Sequence, residues 1–131
     1  MNKSNIHLDI IGSENFSNLL NELDFNFNIN FNKNLKFSNQ EFRIRIIFIE
    51  ELGLIKTKKF LNENSPTIFL LKNKDYLKKN KLKLMEFHVS LIMPIEILVL
   101  KEILNILITK YSFFKKSQID RKSTRLNSSH T

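Results

Sequence analysis

Short apolar runs alternate with stretches of helical spacing along most of the chain, and this alternation constrains the fold more than any other feature. The predicted strands cover residues 5–11, 24–31, 42–49, 67–71 and 87–93. The predicted helices cover 14–23, 54–62, 75–85 and 95–113, while 33–41 is poorly patterned and allows a loop or a short helix. Strands that alternate with helices pair in parallel, because each helix returns the chain to the same edge of the sheet. The pattern therefore predicts an α/β domain whose parallel sheet is covered by helices on both faces.

Some segments also indicate their place in that architecture. Residues 24–31 alternate Phe or Ile with Asn, which is typical of an edge strand with one wet face. The second half of 42–49 is apolar on both faces, which favours a central strand. Ser13 is a suitable N-cap for the first helix, and Pro94 suits the first turn of the last helix.

Composition excludes several classes of site. The 131-residue chain has no Cys and two Gly, which excludes disulfides, zinc–cysteine sites, thiol catalysis and glycine-rich nucleotide loops. The chain is rich in Asn, Lys, Ile and Phe, whose codons accumulate in GC-poor genomes. Part of the net charge of +8 therefore reflects codon usage and is weak evidence for nucleic-acid binding. The lysines between Lys72 and Lys83 favour a solvated helix face over a nucleic-acid surface, since Tyr76 is the one aromatic residue among them.

The end of the chain differs in character from the rest. Residues 120–131 resemble the translation of a common short-read sequencing adapter, so we expect them to be non-native and exclude them from the fold prediction. Residues 115–119 have the composition of the start of a linker. The predicted domain therefore spans 1–114, and we expect the natural reading frame to continue past residue 119.

The last predicted strand and helix carry the sharpest resemblance to a known family. The strand ends at Met93, Pro94 follows it, and an acidic–aliphatic start leads into the long helix. The segments 12–13 and 50–53 fit the same pattern after the first and third strands. The chain resembles the receiver domains of winged-helix (OmpR/PhoB-like) response regulators. This resemblance implies a flavodoxin-like three-layer fold, five parallel strands in the order 2-1-3-4-5, and a cis Met93–Pro94 bond.

The chemistry of the receiver family does not carry over to the first and third strand ends. A receiver holds Mg²⁺ with clustered carboxylates after its first strand, where this chain has Gly12 and Ser13, with Glu14 as the sole acid. The family's phosphoacceptor is an Asp after the third strand. That position falls on Phe48, or on Glu50 if the loop is two residues longer.

The fourth and fifth strand ends depart from the family in the same way. Leu71 and Lys72 stand where a receiver has Thr or Ser, and Met93 replaces the Lys that precedes Pro94. The chain therefore resembles a degenerate receiver, or pseudo-receiver. We expect no Mg²⁺ or other metal site, no cofactor, no phosphoaspartate and no enzymatic activity.

Two further groups have a functional and a plain structural interpretation. Glu50 and Glu51 would mimic a phosphorylated Asp, but solvent-facing loop acids are the simpler expectation. His7 and His88 lie inside predicted strands without neighbouring acidic ligands, so we expect satisfied strand histidines rather than a metal site.

The last helix has more apolar residues than one buried stripe needs. The resemblance implies that part of it forms a two-fold dimer, while burial within the fold or by a missing domain is equally compatible with the pattern. Charged residues interrupt the run, which disfavours a membrane span. The candidate dimer face consists of Ile95, Leu98, Val99, Lys101, Glu102 and Ile106.

These features together predict a non-phosphorylatable regulatory and dimerisation domain of a DNA-binding transcriptional regulator, with its DNA-binding domain absent from this chain. The alternative is a stand-alone protein-interaction adaptor with the same fold. A homodimer through the last helix and burial of that helix within the fold or by a missing domain both stay open. We expect DNA contact only through the missing domain, no membrane partner and no small-molecule substrate. The N-terminus has no apolar signal segment, so we expect a cytoplasmic protein.

Overall fold

The fold is built on one parallel sheet. The computed structural model describes the backbone of residues 5–23, 26–33 and 42–128. Within these ranges it describes side chains up to residue 117. Among these residues, five parallel strands pair in the order β2-β1-β3-β4-β5. The strands are β1 (Ile6–Ile11), β2 (Asn28–Phe31), β3 (Phe42–Phe48), β4 (Thr67–Leu71) and β5 (His88–Ile92). With its helices, this sheet is a flavodoxin-like α/β fold, which confirms the predicted fold class and strand order.

The register brings the carboxyl ends of the strands together. Ile11 lies opposite Ile47, and Leu71 lies opposite Ile92. β2 is at an edge of the sheet and β3 is inside it, as their hydrophobic patterns predict. The segments that follow β1, β3, β4 and β5 therefore emerge at a common edge, which we call the carboxyl edge.

The first helix begins as the sequence predicts. Helix α1 (Glu14–Glu22) is capped by Ser13, whose Oγ accepts the Phe16 N–H at 3.2 Å. The helix buries Leu20 completely. This cap and this apolar anchor confirm the predicted role of the Gly12-Ser13 break.

A short helix that the sequence did not predict follows β3. Helix α2 (Ile49–Leu52) begins at the last residue of the predicted strand. Ile49 is buried, and a buried apolar residue is compatible with a strand or a helix, so the pattern did not mark this boundary. Gly53 separates it from α3 (Leu54–Leu61) with a φ of 97°, a conformation that glycine adopts without strain. The turn of α2 places two glutamates next to the carboxyl edge.

The predicted lysine-rich helix at 75–85 is wrong in its length. Helix α4 (Tyr76–Lys79) ends in a Schellman-type cap, in which the Leu82 N–H donates to the Leu77 carbonyl at 2.8 Å. The Lys81 N–H donates to the Lys78 carbonyl at 3.2 Å, and Lys81 has a φ of 53°. Such a cap usually contains glycine, so the sequence held no sign of this early end.

The last helix, α5 (Ile97–Ser128), belongs to a second compact unit that begins at Glu96. It starts after the predicted position, so Pro94 lies before the helix rather than in its first turn. The Met93–Pro94 bond is cis, as the resemblance implies. The helical backbone also extends past the predicted end at 113, because no Gly or Pro follows Pro94. Residues 115–119, which we expected to begin a linker, lie within this helix. The sequencing-adapter origin of 120–131 stays a prediction.

Apolar side chains cover both faces of the sheet. One face contributes to a cluster that α2 and α3 complete and against which residues of α4 pack; its buried members are Ile11, Ile47, Ile49, Phe60, Leu61, Phe69 and Leu71. On the opposite face, fully buried strand residues include Leu8, Ile10, Ile44, Ile46, Ile68 and Leu70. Each buried Leu or Ile contributes roughly 1.5–3 kcal/mol to the free energy of folding. Burial on both faces therefore stabilises the sheet and holds the strand ends at the carboxyl edge in place.

Candidate functional site

The positions that the resemblance assigns to a receiver's phosphorylation site gather at the carboxyl edge. Gly12 follows β1, Phe48 ends β3, Lys72 follows β4 and Met93 follows β5. Glu50 lies in the first turn of α2. In open α/β sheets this edge is where ligands bind, so its chemistry decides what the domain can do.

Phe48 makes this part of the edge apolar. Its side chain is buried, and its ring meets the ring of Phe16 edge-on at 5.1 Å between centroids. Gly12 approaches so closely that an added Cβ would lie 3.0 Å from the Phe48 Cβ. An aromatic ring has no oxygen to accept a phosphoryl group, so Phe48 offers no nucleophile at the end of β3.

Glu50 does more than face solvent. Its Oε1 accepts the Lys72 N–H at 2.6 Å, and its Oε2 accepts the Asn73 N–H at 3.1 Å. Both carboxylate oxygens are therefore engaged by consecutive backbone amides of the segment after β4. The side chain joins α2 to the β4–α4 connection.

Glu51 completes this contact from the neighbouring position. Its Oε1 lies 2.7 Å from the Lys72 Nζ. The hydrogen bond from Glu51 and its negative charge raise the pKa of Lys72, with a smaller contribution from the charge of Glu50. Since 67% of the Lys72 side chain is exposed, water screens this pair and its contribution to stability is small.

Most residues at the remaining candidate positions have structural roles. The Ser13 hydroxyl caps α1, and Glu14 is exposed in the first turn of that helix. Leu71 is buried in the core, and its carbonyl accepts the Met93 N–H at 2.7 Å. Pro94 is exposed. Within 5–23, 26–33 and 42–117, no three His, Asp or Glu side chains are grouped as metal ligands would be.

A buried ion pair was not predicted from the sequence. The Arg43 Nη1 donates to both oxygens of Asp9 at 3.0 Å, and Asp9 is 1% exposed. Burial raises the pKa of the Asp9 carboxyl, and the hydrogen bond and charge of Arg43 oppose that rise. Beside this pair, the Arg45 Nη1 donates to the Glu63 Oε2 at 2.6 Å. The signal was present, because Arg43 and Arg45 alternate with isoleucines and so share one face of β3.

His88 is a satisfied strand histidine, as predicted. Its Nδ1 accepts the Met85 N–H at 2.9 Å, and its Nε2 lies 2.6 Å from the Glu63 carbonyl oxygen. These partners require a neutral ring with the proton on Nε2. Burial lowers the pKa of His88. His7 is half-buried, and its Nδ1 lies 3.3 Å from the side-chain nitrogen of Asn30.

Helix α5 presents large apolar side chains to solvent. Leu98 and Phe113 are each 71% exposed and Ile106 is 59% exposed, whereas Leu100, Leu104 and Leu107 are buried. The predicted dimer residues on the helix are all exposed, and we call Leu98, Val99, Glu102 and Ile106, which lie on one side, the α5 exposed face. Lys101 is exposed at its margin, whereas Ile95 is half-buried and precedes the helix.

Helices in the parts of the chain that the structure describes fall short of the length or apolarity that a membrane span requires. Comparisons with protein-family models, with curated proteins and with solved structures all found no match. Function is therefore inferred from the geometry of the carboxyl edge and of α5.

Proposed function

We propose that this chain is a receiver-like regulatory domain that takes no phosphoryl group and acts by dimerisation in a DNA-binding transcriptional regulator of the cytoplasm. The DNA-binding part of that regulator lies outside this chain. The observation that carries the proposal is Phe48, buried against Phe16 at the end of β3 in a sheet of order 2-1-3-4-5.

The chemistry of phosphoryl transfer explains why this observation matters. Transfer to a receiver needs a carboxylate nucleophile in line with the donor and a Mg²⁺ ion that neutralises the developing charge. Phe48 supplies no oxygen, and the oxygens of Glu50 accept the amides of Lys72 and Asn73. Lys72 is paired with Glu51. These contacts support a domain whose state does not depend on a phosphoryl donor.

The α5 exposed face supports dimerisation as the remaining mode of action. Leu98 and Ile106 are large, exposed and separated by about two helical turns. Burying them in both copies contributes roughly 1.5–3 kcal/mol for each fully buried side chain. Lys101 and Glu102 are exposed beside them.

The dimer is tested by light scattering coupled to size-exclusion chromatography. We expect the wild-type chain to be a dimer and Leu98→Glu to be a monomer, because the charge would be buried in the interface. The matched control is Ile55→Glu on α3, since Ile55 is 80% exposed and lies outside the α5 exposed face. A monomeric wild-type chain, or a Leu98→Glu variant that stays dimeric, would overturn the proposal.

A further inference from the structure

We propose that Glu50 is a resident anion that holds the β4–α4 connection in one conformation without any external ligand. The buried Asp9–Arg43 pair and the His88 contacts hold strands and loops in place. Glu50 differs from both, because its carboxylate occupies backbone donors at the edge where a ligand would bind.

The donors around Glu50 are of the kind that binds anions. The N–H groups of Lys72 and Asn73 are consecutive along the backbone, and each reaches a different oxygen of the same carboxylate. Successive backbone N–H groups that converge in this way form an anion-binding concavity. The Lys72 ammonium, held by Glu51, adds positive charge beside it.

The contact extends from Glu50 to the start of α4. Asn73, which donates to Glu50, accepts the Asp75 N–H on its Oδ1 at 2.9 Å. The Asn73 carbonyl accepts the Tyr76 N–H at 3.1 Å. A carboxylate in α2 therefore orders the whole stretch between β4 and α4 through a continuous series of hydrogen bonds.

This arrangement has a consequence for regulation. A loop that closes around an incoming anion changes conformation when the anion arrives. Here the anion is part of the chain, so residues 72–76 stay in the anion-bound arrangement. Glu50, Lys72 and Asn73 lie before Glu96, in a different compact unit from the α5 exposed face, so these hydrogen bonds and the dimer can be disproved independently.

Amide hydrogen exchange of the full chain, followed by NMR, tests this inference. We expect the Lys72 and Asn73 amides of Glu50→Ala to exchange about tenfold faster or more than in the wild type, because each loses a charged acceptor. Amides of β4 should keep their wild-type rates. The matched control is Glu51→Gln, which removes the ion pair with Lys72 but leaves the Glu50 carboxylate in place.

Two further measurements test the role of Glu50 if Glu50→Ala perturbs the fold. Glu50→Gln keeps the size of the side chain and one acceptor oxygen. We therefore expect a large acceleration of exchange at one of the two amides and a smaller acceleration at the other. Added acetate should slow exchange at both amides of Glu50→Ala by filling the vacated position. Unchanged exchange in both Glu50 variants would overturn the inference, and so would an equal acceleration in Glu51→Gln.

Discussion

Replacing Arg43 by methionine removes the partner of a buried acid. Asp9 is 1% exposed, and both of its oxygens accept hydrogen bonds of 3.0 Å from the Arg43 Nη1. Methionine keeps an apolar stem of similar length but donates no hydrogen bond. The Arg43→Met variant therefore leaves a desolvated carboxylate without its guanidinium.

The size of the effect follows from the burial of the two partners. Removing one partner of a buried ion pair destabilises a protein by about 3–5 kcal/mol. The Arg43 side chain is itself 20% exposed, so water can partly replace it and the lower end applies. We expect a loss of about 3 kcal/mol in the free energy of unfolding at neutral pH.

The loss should depend on pH in a defined direction. Burial raises the pKa of Asp9 above its ordinary value of 3.8, and removing Arg43 removes the largest opposing effect. A carboxyl whose pKa is higher in the folded state contributes stability that is lost as pH rises through the window above 3.8. The penalty of Arg43→Met should therefore be largest near neutral pH and shrink on acidification.

Urea unfolding followed by circular dichroism measures this penalty at about pH 7 and about pH 5. The comparison variant is Arg45→Met, whose partner Glu63 is 55% exposed, so the expected loss is about 1 kcal/mol or less. A penalty for Arg43→Met below about 1 kcal/mol at pH 7, or one that grows on acidification, would refute the reasoning.

Three further predictions concern other contacts of the compact unit that precedes Glu96. Burial lowers the pKa of His88 below 6.5, so its contribution to stability is full above 6.5 and is lost as pH falls below that value; urea titrations should show this loss in the wild type and not in His88→Asn. Gly12→Ala should lower the free energy of unfolding by about 1–3 kcal/mol, because Gly12 has a φ of 102° and an added Cβ would meet Phe48 at 3.0 Å. An unchanged Tm in thermal unfolding would contradict this. Ser13→Ala should cost about 1 kcal/mol through loss of the α1 cap, whereas Ser13→Asp should retain most of the stability in the same assay.

The sheet could be predicted because its strands differ in local pattern. The all-apolar run at 67–71 is buried throughout as β4, and the alternating run at 24–31 contains the half-exposed edge strand β2, which begins at Asn28 rather than at 24. Asp24 and Phe25, the first two residues of that alternating run, lie outside the described residues, as does most of the segment 33–41. The choice between parallel and mixed sheets also followed from the helical segments between strands.

The details that the sequence analysis missed depend on contacts between distant segments. The early end of α4 depends on a left-handed Lys81, which no local preference favours. The choice between Phe48 and Glu50 at the end of β3 depended on where the strand stops, and the buried Ile49 is compatible with either strand or helix. The hydrogen bonds of Glu50 to the amides after β4 join residues far apart in sequence and follow from the register of β3 and β4.

The central claim is that a receiver-like scaffold here takes no phosphoryl group. Intact-mass measurement after incubation with acetyl phosphate and Mg²⁺ tests it most directly, with an active receiver domain treated in parallel. We predict no phosphoryl adduct on this chain, because Phe48 ends β3 and the oxygens of Glu50 are held by Lys72 and Asn73. A Mg²⁺-dependent adduct on Glu50 or on another carboxylate of the carboxyl edge would contradict the claim.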